Sequence, residues 1–241
     1  MKNVIRLKPK EGIIIEKVDV EKSVLEKPFV IDADENIQAM LFADKAGRPI
    51  EGEVNPKEYV RNSKQLNLYS VNTSMFDIKF GVGYAERKIT FEERESKLHL
   101  AYAPVGECTV RISSLDKIPE MLHSLSKTNE ISEEDFRNRV INEIKVIVGD
   151  SCENSIRRLR KKELNSEIDK LAESESISNP TGGVIYQKVK SCLKEEGLIL
   201  ERMTLRANIS PESQAKYDQF ITSSETREQA KRDLKALKGE D

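Results

Sequence analysis

Between Tyr69 and Ile112 the hydrophobicity of the chain alternates with a period of two, a pattern that fits half-buried antiparallel strands. In Phe76-Asp77-Ile78-Lys79-Phe80 the apolar side chains fall on one face and the charged ones on the other. Cys108, Val110 and Ile112 alternate with Glu107, Thr109 and Arg111 in the same way. Pro104-Val105-Gly106 stands between two such runs. Proline fixes φ and glycine accepts a positive φ, so the spacing predicts a hairpin with its turn at Gly106.

The first 65 residues read as short strands with turns. Ile13–Val18, Phe29–Ile31 and Ile37–Phe42 are the candidates, with a turn at Asp44-Lys45-Ala46-Gly47 and a loop at Asn55-Pro56. Beyond Ile112 the period becomes helical. A short helix is expected over Leu115–Leu125. Ser132-Glu133-Glu134-Asp135 is a capping start, after which Phe136, Val140, Ile144 and Ile147 form an apolar stripe. Gly149 is expected to end that helix, and a second is expected from Ser151 to Ser174. That second helix would carry the basic run Arg157-Arg158-Leu159-Arg160-Lys161-Lys162. A loop over Ser174–Gly183 leads to a third helix, Val184–Glu196, closed by Gly197 as a left-handed cap. Alternation returns from Arg202 to Ile209, and Pro211 opens a final helix at its first position. Residues 222–241 carry few strong apolar side chains, so this stretch frays or packs against a neighbouring subunit.

Motifs for chemistry are sparse. Of the two histidines, His99 lies on a strand with its face toward solvent or a second layer, and His123 lies in a short helix. Neither is flanked by a nucleophile motif, although nucleophilic catalysis needs a base within hydrogen-bond reach. Asp32-Ala33-Asp34-Glu35-Asn36 opens like a calcium loop, but Ile37 stands where the sharp turn needs glycine, so it reads as a turn into the Ile37 strand. Gly81-Val82-Gly83 lacks the third glycine of a dinucleotide loop. Thr181-Gly182-Gly183 reads as an ordinary start to a helix, and the acids of Phe91–Glu95 as a charged loop before a hairpin. Cys108, Cys152 and Cys192 are far apart and lack metal spacing, and read as buried reduced thiols. No cofactor, metal or catalytic group is expected.

Charge narrows the partners. Charged residues make up 34% of the 241 residues, yet the net charge is only −2. Interspersed signs argue against a nucleic-acid binder, which carries a basic stripe. Apolar runs such as Ile13-Ile14-Ile15 fall far short of the ~20 residues that cross a bilayer. The start MKNVIRLKPKEG has no apolar core of a secretory signal, so a cytoplasmic protein is expected.

The phrase Val71-Asn72-Thr73, then Phe76 and Lys79-Phe80-Gly81, a strand, then a charged run leading into a hairpin that ends Arg111-Ile112 resembles the SPFH superfamily (stomatin, prohibitin, flotillin; band 7), and within it the soluble bacterial branch labelled virion-core-like. Glu195-Glu196-Gly197-Leu198 is similar to that family's closing turn, with Glu196 in place of an aromatic or aliphatic residue. The resemblance implies an α+β domain over residues 1–210, a bent antiparallel sheet with helices packed on one side, followed by a C-terminal helix or tail over 211–241. It further implies a non-enzymatic scaffold that self-associates and organises partners, with a peripheral place at the cytoplasmic membrane face as one form of that role; the alternative is a soluble monomeric or dimeric adaptor. Candidate contacts are Arg157, Arg158, Arg160, Lys161, Lys162, Arg202 and Arg206 for acidic partners. The face of Pro211–Leu237 bearing Tyr217, Phe220, Leu234 and Leu237 is the candidate for assembly, together with a sheet edge near the N-terminus.

Overall fold

The computed structural model describes residues 3–43, 46–50, 52–55, 66–125 and 130–238. Among these residues the fold is α+β, with three sheets, and ends in a C-terminal helix. The chain divides into two compact units. One holds Met1–Ile78, Glu107–Ile144 and Gln187–Met203; the other holds Lys79–Gly106, Lys145–Tyr186 and Thr204–Asp241.

In the first unit, β1 (Asn3–Leu7) pairs in parallel with β3 (Phe29–Ala33), which pairs antiparallel with β6 (Glu53–Val54). A second sheet has the order β11-β2-β7-β4-β5, from Glu130–Ser132, Ile13–Val18, Leu66–Asn72, Ile37–Ala43 and Ala46–Ile50. The expected turn at Asp44–Gly47 lies partly outside the described residues, as does Pro56; Ala46 and Gly47 already belong to β5, opposite Ala43 and Phe42. Ile5, Leu7, Phe29, Ile37, Leu41 and Leu68 form the core here, joined by Leu25 of the single-turn α1 (Lys22–Leu25). Asp34 accepts from the Ile37 amide through its carbonyl (2.9 Å), so the acidic segment is a turn, as its sequence suggests.

The remaining sheet has the order β12-β9-β10-β13, with β8 also on β10. Its strands are β8 (Phe76–Gly81), β9 (Ile89–Glu93), β10 (His99–Ile112), β12 (Arg158–Leu159) and β13 (Leu198–Ile209). The alternation is realised literally in β8, where Phe76, Ile78 and Phe80 are buried and Asp77 and Lys79 exposed. The hairpin expected at Pro104-Val105-Gly106 is a correction: all three lie inside the continuous strand β10. The Pro104 carbonyl accepts from the Val82 amide (2.9 Å). Gly106 is required by space, because a Cβ there would stand 2.2 Å from the Thr204 carbonyl oxygen. The true reversal joins β9 to β10 through Arg94–Leu98, with Lys97 at φ 59°.

A 3-10 turn (Leu115–Lys117) and α2 (Ile118–Leu125) follow as expected. Helix α3 (Glu133–Ser155) begins at Ser132, whose Oγ accepts from the Asp135 amide (3.0 Å) and donates to its carboxylate (2.7 Å). Its buried stripe is Phe136, Val140, Ile144, Val148 and Cys152, with Val148 in the place assigned to Ile147. In a second correction the helix runs straight through Gly149, beside which Arg87 lies, its Nη1 3.0 Å from where a Cβ would be. Arg87 pairs with Asp150 and Glu153 of the same helix. The basic run is therefore not helical. It forms β12 and a 3-10 turn (Lys161–Glu163) before α4 (Leu164–Ala172). Helix α5 (Val184–Glu195) ends at Gly197, φ +80°, the expected left-handed cap; the Gly197 carbonyl accepts from the Ser113 and Ser114 amides, both at 3.0 Å. Helix α6 runs without a break from Pro211 to Lys238.

A basic cleft with an apolar floor

The functional candidate begins with one buried carboxylate. Ile89, Phe91 and Glu93 share a face of β9, and all three are buried. A charge there survives only if it is hydrogen-bonded. Glu93 Oε2 accepts from the Glu95 amide (3.0 Å), the Ser96 amide (2.6 Å) and the Ser96 hydroxyl (2.8 Å), and Oε1 from the Lys161 amide (3.4 Å). Burial, the largest influence, acts to raise its pKa; the donors from Ser96, Lys161 and Glu95 outweigh it and hold the carboxyl below its ordinary value. Phe91–Glu95 is thus part strand and part turn rather than a charged loop.

The same corner places the basic run. The β12 strand pairs in parallel with β9, Arg158 opposite Glu92 and Leu159 opposite Glu93. Glu92 donates its amide to the Arg157 carbonyl (2.8 Å), and Arg94 to that of Leu159 (3.1 Å). The Glu163 carboxylate then accepts the Arg160 amide (3.1 Å), turning the chain into α4. The segment is positioned by its backbone, which leaves the side chains to make a surface.

That surface is a cleft of about 420 Å³. Arg160, Lys161 and Lys162 supply cations to its wall and Glu93 and Glu95 carboxylates; Leu164 and Ala207 lie buried at its base beside half-buried Ile209, and Tyr217 comes from the second turn of α6. The Lys161 ammonium sits 4.4 Å from the centroid of the Tyr217 ring, a cation–π contact. Burial, then the nearby carboxylates of Glu93, Glu95 and Asp218, push the Tyr217 phenol above its ordinary range, so the ring stays neutral. Arg160 Nε lies 3.1 Å from a Glu95 carboxylate oxygen. Asn165 fixes the floor by accepting from the Ala207 amide (2.7 Å). Helix α6 is anchored where it enters. Ser213 Oγ accepts from the Ala101 amide (2.8 Å), Ser210 donates its amide to the Ala101 carbonyl (2.9 Å), and Ser210 Oγ caps Ser213 (3.2 Å).

The cleft thus gathers four of the residues singled out from sequence: Arg160, Lys161, Lys162 and Tyr217. The others lie elsewhere. Arg157 is exposed, and Arg158 turns to Glu92 (3.2 Å). Arg202, in the first unit, donates to Thr109 Oγ1 (2.8 Å) and pairs with Asp77 (3.4 Å). Arg206 is exposed on β13, Phe220 is half-buried, and Leu234 is 54% exposed. Leu237 falls in the last turn of α6, its side chain outside the described set. Sequence reasoning missed Glu93, Glu95, Leu164, Asn165, Ala207 and Ile209. For Glu93 the signal was present, since it continues the i, i+2 series of Ile89 and Phe91.

His99 and His123 are both exposed and neither lines the cleft. Cys108 and Cys152 are buried, whereas Cys192 is only half-buried, a correction to the reading of three buried thiols. Among the described residues no group of three or more His, Cys, Asp or Glu is placed to hold a metal ion, and no helix is long and apolar enough to cross a membrane. No protein-family model matches the chain, and no curated protein matches it.

Proposed function

We propose that this chain is a non-enzymatic SPFH-like scaffold that self-associates and holds partners, with the Arg160–Lys162 cleft as a binding surface. The observation that carries this reading is the composition of the cleft. It sets the cations Arg160, Lys161 and Lys162 beside the carboxylates Glu93 and Glu95, with the neutral Tyr217 ring and Ile209 as its partly exposed apolar surface, a mixed lining suited to a polar partner segment. The Glu93 carboxylate is taken up by four donors and the Lys161 ammonium lies over the Tyr217 face. The SPFH part of this reading rests on the sequence phrase from Val71 to Gly81 and on the Gly197 turn. Any membrane attachment in this reading is peripheral. The test is absolute mass by light scattering across a tenfold range of protein concentration. A mass of several chains, rising with concentration or already saturated, is the expected result. A single-chain mass throughout would overturn the scaffold and leave a soluble adaptor.

A further inference from the structure

Helix α6 changes character along its length. In its first half Ser213 is buried, and Tyr217, Phe220, Ile221 and Ser224 are half-buried. From Glu225 to Lys235 every residue is exposed, so about three turns present all their sides to solvent. Polar side chains along the helix are largely satisfied within it. Lys216 pairs with Glu212 (2.7 Å), Gln214 donates to Asp218 (2.7 Å), Arg232 pairs with Glu228 (3.8 Å) and Gln229 donates to Asp233 (2.9 Å). Arg227, Lys231 and Lys235 depart from that pattern. All three are exposed, and none has a hydrogen bond or ion pair among the described residues. Four residues apart, they form a single ridge about 12 Å long. Like charges at this spacing repel, so the ridge costs helix stability while it stands alone. Ala230 and Leu234, also four apart, form the adjacent ridge, with Leu234 54% exposed. Glu225 lies about 200° around the helix from Arg227 and leaves the cations uncompensated.

We propose that these two ridges are the docking face for an acidic helix of another protein. Charge and spacing select that partner. A helix with Glu or Asp at every fourth position presents carboxylates about 6 Å apart along its axis, the interval of Arg227, Lys231 and Lys235. Ridges of this kind seat in the grooves of a facing helix, and the small Ala230 beside Leu234 lets the two backbones approach. A lipid interface takes a broad hydrophobic face, whereas one alanine and one leucine make a narrow one. The contact goes beyond the scaffold reading and makes no use of the Arg160–Lys162 cleft.

The test uses the full chain and a labelled synthetic helical peptide with Glu at every fourth position beside a leucine stripe. The same peptide with Lys in place of Glu is the control, and fluorescence anisotropy reads binding. The Glu peptide is expected to bind the parent. It should bind the triple variant Arg227→Gln, Lys231→Gln, Lys235→Gln about tenfold more weakly, the combined effect of three exposed ion pairs. The control peptide should bind neither protein, and added salt should weaken the parent complex. Because the three side chains have no partner in the chain, the triple variant should melt with the parent or slightly above it. Leu234→Asn keeps every charge and should weaken binding by a smaller factor. Equal binding of the Glu peptide by parent and triple variant, or binding by neither, would overturn the proposal. Co-sedimentation with phosphatidylserine vesicles, by a parent that ignores the peptide, would overturn it in favour of a lipid surface. A light-scattering mass that falls in the triple variant would overturn it in favour of a second copy of this chain. The scaffold reading is judged on the mass of the parent alone, so either can fail without the other.

Discussion

The chain reverses direction by different means at two places. At Gly197 the backbone itself supplies the reversal: a residue at φ +80° ends α5 and starts β13. Between β9 and β10 there is no glycine or proline. Glu93 instead gathers the amides of Glu95 and Ser96 on one carboxylate oxygen, and Lys97 accepts a left-handed conformation at φ 59°. A turn can be written as a backbone allowance or as a buried acceptor, and only the first announces itself as glycine. Gly106, the residue that looks like a turn, is neither. It lies mid-strand because the Thr204 carbonyl passes 2.2 Å from where its Cβ would be.

Substitution can break each of these devices in turn. Gly106→Ala is expected to cost most, about 3 kcal/mol or more, at the upper end of overpacking, because the neighbour is backbone that cannot swing away. A denaturant midpoint equal to the parent's would show that the Thr204 carbonyl does not pass this close to Gly106. Gly197→Val comes next, at about 2 kcal/mol for a β-branched residue in the left-handed region, with its Cβ also 2.7 Å from that of Lys117. Thermal melting measures it. Glu93→Gln should cost about 1–2 kcal/mol by leaving buried donors short of acceptors, and its penalty should depend on pH. The folded carboxyl titrates below its ordinary value of 4.5. Its stabilisation is therefore complete above that pH and fades as pH falls through the lowered value. The gap between parent and variant should thus be full at neutral pH and narrow below about 4.5, as urea titrations at several pH values would show. Lys97→Gly is expected to have the smallest effect, a gain of about 0.5 kcal/mol, as relief of left-handed strain exceeds the added chain entropy. A loss of stability there would mean that the side chain of Lys97, 3.8 Å from a Glu92 oxygen, is part of the turn.

What could be read from sequence was what neighbours in sequence decide. The alternation of β8, the Ser132 cap, the Gly197 cap and Pro211 at a helix start all depend on residues within one turn or one strand. The failures are non-local. Gly106 is fixed by Thr204, and the continuity of α3 through Gly149 goes with Arg87, which lies on that glycine and on the acids next to it. The basic run leaves the helix because β9 offers it an edge, and no periodicity within Arg157–Lys162 records that offer. The cleft was legible one residue at a time. Lys161 and Tyr217 could each be named, but their meeting required α6 to be pinned by Ser213 to β10.

The three thiols carry a practical consequence. Burial, the first cause in each case, pushes Cys108 and Cys152 up to about 12, so both thiols stay protonated at neutral pH. Cys192, half-buried on α5, is sterically the most accessible of the three to a maleimide. The native chain therefore offers a preferred attachment point for a fluorophore or spin label, outside the residues that line the cleft, with no cysteine engineering needed.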